Sequence, residues 1–203
     1  MEYLLLGFIT GLSLILAIGA QNIFVIEQGL KKQHIFLVCL VCSLSDLILI
    51  FLGIFLFHYF IQYFNSIIEL TLNILLIIFL LHFIYSKIKI YNSSIKLNDQ
   101  SQPISKLNIL LKTLGFTYLN PHVYSDTVFF LGNFSKNFLI NEKINFGLGA
   151  AISSFLFFFL IGYLSKYFSK FAENDKVWKI INTFIIIFMS LLTLFIILDT
   201  FIS

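Results

Sequence analysis

The sequence predicts an all-α integral membrane protein with six transmembrane helices arranged as two inverted three-helix repeats. Three observations carry this. Of the 203 residues, 59% are hydrophobic and only 11% charged, with a mean hydropathy of +0.97; a soluble domain of this size needs a more charged surface. Six apolar stretches are long enough to cross a hydrocarbon core, which takes about 20 helical residues: 3–26, 35–60, 67–86, 109–131, 144–163 and 177–202. The longest connection, 87–108, is polar, basic and rich in Ser and Asn, and it parts the stretches into two triplets. The expected organisation is a first repeat at 1–86, a cytoplasmic linker at 87–108 and a second repeat at 109–203. With three helices per unit, the second copy enters the membrane from the opposite side, which is what makes the repeats inverted.

Charge placement orients the chain. All 13 basic residues are lysines. A chain without arginine forks is a poor candidate for nucleic-acid recognition. Eleven of the 13 flank the connections after the first, third and fifth stretches, and only Lys136 and Lys143 lie on the other side. Positive charge stays cytoplasmic, so both termini are expected outside and the linker inside. Tyr3, Tyr59, Tyr63, Tyr85, Tyr163, Tyr167 and Trp178 fall near segment ends, where an aromatic belt sits. The first stretch begins with Glu2 rather than a basic region and has no evident small-residue cleavage site, so it is expected to remain as a membrane helix.

The first stretch carries Gly7 and Gly11, a spacing that lets backbones approach closely. It ends in Gly19–Ala20–Gln21–Asn22, whose amides either line something or merely terminate a helix. Gly11 and Asn22 are spaced to share a helical face. In the second stretch Asp46 lies near the midpoint, with Cys39, Ser43 and Gly53 on the same face. An ionisable residue at that depth is a functional candidate, and no lysine lies mid-membrane to make a structural pair. Cys39 and Cys42 spell C-x-x-C, but inside an apolar helix, where cysteines act mostly as small hydrophobes. His34, His58 and His82 lie near segment ends and read as interfacial.

The fourth stretch holds the chain's main irregularity, Asn120–Pro121–His122–Val123–Tyr124–Ser125–Asp126. Proline removes an amide donor and disfavours helix at Asn120, so a kink or break is expected. Broken backbone is tolerated at membrane depth only inside protein or against a wet cavity. A carboxylate such as Asp126 costs roughly 2.5–3.5 kcal/mol at the bilayer centre. His122 and Asp126 share a face, but two ligands do not make a metal site; a proton relay needs less, one histidine and carboxylates facing a cavity. The fifth stretch offers Gly147, Ala150, Ala151 and Ser154 as a packing face without implied chemistry. The sixth has little polar content before Asp199 and is the candidate lipid-facing or oligomer-facing helix, compatible with a homo-oligomer. Ser45–Asp46 leading to Gly53 aligns with Ser154–Phe155 leading to Gly162, an internal match between the triplets. No motif organises a nucleophile, a base and oxyanion donors, so no enzyme, cofactor or metal is expected.

Gly19–Ala20–Gln21–Asn22 with Gln28–Gly29, Ser45–Asp46–Leu47, Leu119–Asn120–Pro121–His122–Val123–Tyr124 and Asp126–Thr127 together resemble the lysine exporter (LysE) family, nearest its basic amino-acid branch, which includes the arginine exporter. The resemblance runs the length of the chain. It implies export of lysine, arginine or related amino acids across the cytoplasmic membrane, driven by the proton gradient or the membrane potential. The family's proline-glycine-proline pattern in the first helix is replaced here by Ala17, Gly19 and Ala20, which puts a break there in question. On this reading Asp46 and Asp126 meet ammonium or guanidinium groups or carry a proton, Gln21, Asn22 and Asn120 add neutral hydrogen bonds, and the half-helix after Pro121, with His122, meets the substrate carboxylate. Rival expectations are a transporter of neutral amino acids or of a divalent cation on the same fold, and a membrane thiol-disulfide carrier using Cys39 and Cys42.

Overall fold

A computed structural model describes residues 1–16, 19–63, 66–92, 105–172 and 174–201. The middle of the expected linker, 93–104, and Ala17 of the first helix's departure lie outside the described residues. The helices are α1 (Glu2–Ile15), α2 (Ala20–Leu30), α3 (Ile35–Tyr63), α4 (Ser66–Asn92), α5 (Lys106–Tyr118), α6 (Pro121–Tyr124), α7 (Leu131–Phe134), α8 (Ile140–Tyr167), α9 (Ser169–Ala172) and α10 (Asp175–Phe201), with a π-helical turn, Ser125–Phe130, between α6 and α7. No strand occurs among the described residues. The protein is an all-α, multi-pass membrane protein. Four helices, α3, α4, α8 and α10, are each long and apolar enough to cross a bilayer. The pair α1 and α2, bent by 83° at its break, is long and apolar enough when the two are taken together, and α5 to α7 makes a second interrupted stretch.

Side-chain oxygens start several helices, as orphan amides at helix N-termini require. Ser105 Oγ accepts from Asn108 N at the start of α5, Glu142 accepts from Leu139 N at α8, and Asn174 Oδ1 accepts from Lys176 N at α10.

Lipid offers no hydrophobic drive between helices, so packing rests on close contact through small residues. The interrupted pair α1–α2 packs on α8, the interrupted stretch α5–α7 packs on α3, α3 meets α8, and α4 meets α10. A Cβ added at Gly11 would come within 2.8 Å of the Ala150 backbone. One added at Gly53 would come within 2.6 Å of Val128 backbone atoms, and one at Gly132 within 2.7 Å of Gly53 O. These are approaches only glycine permits. Outside, Ile180, Phe184, Ile187, Leu191 and Leu194 of α10 and Leu148, Ile152, Leu156 and Leu160 of α8 are exposed, an apolar coat suited to lipid. The expectation for the last stretch needs correction in one respect. One face of α10 does look outward, but another packs on α4, with Ile185, Met189 and Ile196 in the core.

Candidate functional site

Proline at 121 has its expected effect. The helix stops at Tyr118 and restarts at Pro121, and local groups occupy what the gap releases. Asn120 Oδ1 accepts from His122 N at 3.1 Å, Val123 N donates to Asn120 O, and Tyr124 Oη donates to Tyr118 O at 2.9 Å. The π-helical turn follows at once and carries Asp126; such turns recur at functional positions within α-helices.

The first helix is interrupted as well, without the prolines. α1 ends at Ile15 and α2 restarts at Ala20. Asn22 Nδ2 reaches back to Ile15 O at 3.1 Å, satisfying a carbonyl the break leaves open. Gly19 precedes α2 with φ −114° and ψ −177°, ordinary extended backbone, so the conformational freedom of glycine is not what makes this break. Because the helix is interrupted, Gly11 and Asn22 do not share a face in the way continuous helical spacing implies, though both line the same cavity.

The two interruptions open onto one cavity of about 390 Å³. Gly11, Gly19, Ala20, Gln21 and Asn22 line it from the first, and Asn120, His122, Val123, Asp126 and Thr127 from the second. Leu14 and Ile15 of α1, Asp46 and Ile50 of α3, Leu131 of α7, Phe158 of α8 and Leu192 and Ile196 of α10 complete the wall. Of the residues singled out in the sequence, Gln21, Asn22, Asp46, Asn120, His122 and Asp126 thus border the same space. Pro121 begins α6, and its side chain lies outside the described residues. Asp46 is buried (3% exposed), Asp126 is half-buried and His122 is exposed. No lysine is among the residues lining the cavity. A carboxylate away from water needs a cation or donors, and the wall supplies neutral ones.

One of those donors was misjudged in the sequence. Ser154 of α8, expected only to pack, donates to Asp46 Oδ2 at 2.7 Å, and its side chain is buried. The available signal was the internal match, which pairs Ser154 with Ser45. After Pro121 the chain restarts as a four-residue half-helix. Its leading amides at 122 and 123 are already held by Asn120, whereas α2 has no side-chain cap at its N-terminus, and the residues that start it line the cavity. Among the described residues no three His, Cys, Asp or Glu side chains converge as metal ligands. Cys39 and Cys42 are free thiols buried in α3; Cys39 Sγ donates to Phe158 O at 3.2 Å, and neither cysteine lines the cavity.

A family model described as LysE type translocator matches residues 12–200. YggA of Aeromonas hydrophila is 35% identical over 139 residues, which is 65% of this chain and 59% of that protein. The arginine exporter protein ArgO of Pectobacterium carotovorum is 34% identical over 141 residues, 65% of each chain. ArgO of Salmonella paratyphi A is 35% identical over 142 residues, 65% of this chain and 63% of its own length. The match thus spans 59–65% of the length of these relatives. No solved structure matches.

Proposed function

The chain belongs to the LysE type translocator family, and on that premise we propose that it exports basic L-amino acids, lysine and arginine, from the cytoplasm across the inner membrane, coupled to the proton gradient or the membrane potential. The observation that carries this reading is the pairing of Asp46 and Asp126 on one cavity wall that holds no lysine. Two carboxylates near apolar surroundings favour a solute that brings its own positive charge. An ammonium or guanidinium meets that demand with charge-assisted hydrogen bonds. The substrate's α-carboxylate is assigned to the start of α2, an 11-residue helix without a side-chain cap whose first residues line the cavity. Gln21, Asn22 and Asn120 serve as neutral partners around it, with His122 on the same wall.

The same reading makes the chain two inverted repeats, 1–86 and 109–203. In support, each half opens with an interrupted helix that packs on the first long helix of the other half, and the last long helices, α4 and α10, pack together. The bond from Ser154 to Asp46 joins the halves at the cavity itself. A neutral amino acid brings a single ammonium for the two carboxylates, whereas lysine or arginine brings a second cation.

The experiment is efflux. Cells loaded with arginine- or lysine-containing dipeptides release the basic amino acid faster when they carry this protein. Asp46→Asn, inserted at normal amounts, brings release down to the level of cells without it. Equal accumulation in cells with and without the protein, or wild-type release by D46N, contradicts the proposal.

A further inference from the structure

Beyond the cavity, α2 runs on towards the end of the molecule where the lysines gather. From Asn22 to Glu27 is five residues, about 7.5 Å of helix at 1.5 Å per residue. Two tiers of side chains close that distance. In the nearer tier, Phe24 of α2 stacks on Phe116 of α5 with centroids 4.7 Å apart. Phe83 of α4 meets Phe116 edge-on at 5.1 Å and Phe24 at 6.4 Å. Phe24 and Phe116 are fully buried.

One turn further along is the second tier. Glu27, 1% exposed, accepts from Lys87 Nζ of α4 at 2.5 Å and also from Lys31. Lys87 Nζ donates in addition to Asn182 Oδ1 of α10 at 3.2 Å and lies 5.4 Å from the Phe83 ring. Both lysines bond the same oxygen of Glu27, while the other, Oε2, is buried without a partner.

A buried ion pair is a poor source of net stability, since desolvation offsets its attraction, and its best-attested use is to specify one arrangement over another. A crowded oxygen beside an orphaned one is not a stability optimum either. Neither tier belongs to the cavity wall.

We propose that these tiers are a closed gate between the cavity and the lysine-rich end, with Lys87 as its pin: one ammonium holds α2 against α4 and α10 over a phenylalanine seal. The inference rests on the export reading for its purpose, because a solute from the cytoplasm must pass the lysine-rich end to reach Asp46 and Asp126. When the gate opens, Lys87 leaves Glu27 and the aromatic tier parts. Packed interfaces switch between discrete arrangements of this kind rather than deforming gradually.

The test needs no transport. In a Cys39→Ser, Cys42→Ser background, Val123→Cys places one thiol on the cavity wall. A membrane-impermeant thiol reagent is applied to inside-out vesicles, which present the lysine-rich face. The expected result is slow reaction in the parent, at least about tenfold faster reaction in Lys87→Gln and in Phe24→Ala, and a return to the slow rate in the charge exchange Glu27→Lys with Lys87→Glu. Rates unaltered in both K87Q and F24A overturn the gate, as does an exchanged pair that reacts as fast as K87Q. Loss of arginine efflux by the wild type is a separate result and strikes only the export reading.

Discussion

A carboxylate buried in a membrane protein is expensive unless something compensates it, and Asp46 is met by the neutral hydroxyl of Ser154. A hydrogen bond to a charged group contributes about 1.5–3 kcal/mol. Ser154→Ala removes the donor while keeping the small volume that lets α8 pack, so efflux should fall by about tenfold or more, a factor that corresponds to ~1.4 kcal/mol. Initial efflux rate, normalised to the amount of protein in the membrane, is the readout, and an unchanged rate would leave Ser154 a packing residue. Asn22 has a different burden. Its amide holds the carbonyl of Ile15 across the first interruption, so Asn22→Ala should lower stability by about 1 kcal/mol, the net worth of an ordinary hydrogen bond. The thermal midpoint of the detergent-purified protein measures this; a midpoint equal to wild type returns Asn22 to the substrate alone.

At the scale of elements, two opposing effects decide what a methyl group does at Gly53. Alanine is the better helix former by about 1 kcal/mol. Against that, the added carbon would sit 2.6 Å from Val128 backbone atoms and 2.7 Å from Thr127 O, and main chain cannot rotate out of the way. Overpacking costs typically 1–3 kcal/mol, so Gly53→Ala is expected to destabilise on balance and to push α3 away from the turn that carries Asp126. A lower thermal midpoint together with reduced efflux is the predicted pair of results; a midpoint at or above wild type would mean that this contact is looser than the structure has it. Much at this scale was legible in advance. Pro121 announced its break, because proline's missing amide and the restriction on Asn120 are properties of the chain itself. The break at Gly19 was less legible: what holds it is Asn22 reaching back to Ile15 O, a tertiary arrangement with no local signature. The π-helical turn is likewise not written in any residue preference.

Across the whole molecule, composition alone settled that the chain lives in a membrane, since lipid-facing apolar surface is cheap to read. Asp46 and Asp126 stood out for the same reason: each is costly in its own stretch. What periodicity could not show was that α10, which looked almost uniformly apolar, turns Leu192 and Ile196 to the cavity, nor that Glu27, Lys87 and Asn182, scattered over three helices, meet in one buried cluster. Lysines that orient the chain in the sequence also hold elements together in the fold. The C-x-x-C pair, by contrast, stays away from the cavity, so replacing Cys39 and Cys42 with serine should leave efflux within about twofold, well inside the tenfold step that 1.4 kcal/mol produces. Complete loss of efflux in that variant would revive the thiol carrier.

The claim on which all of this turns is that both halves of the chain face one water-reached chamber that receives a basic amino acid. Its most direct test is substrate protection of single thiols, Leu14→Cys from the first half and Val123→Cys from the second, both of which line the cavity. Without the native cysteines, both should react with a water-borne thiol reagent, and arginine should slow both over the same concentration range while alanine does not. Protection at one position only, or none at either, would contradict a shared chamber.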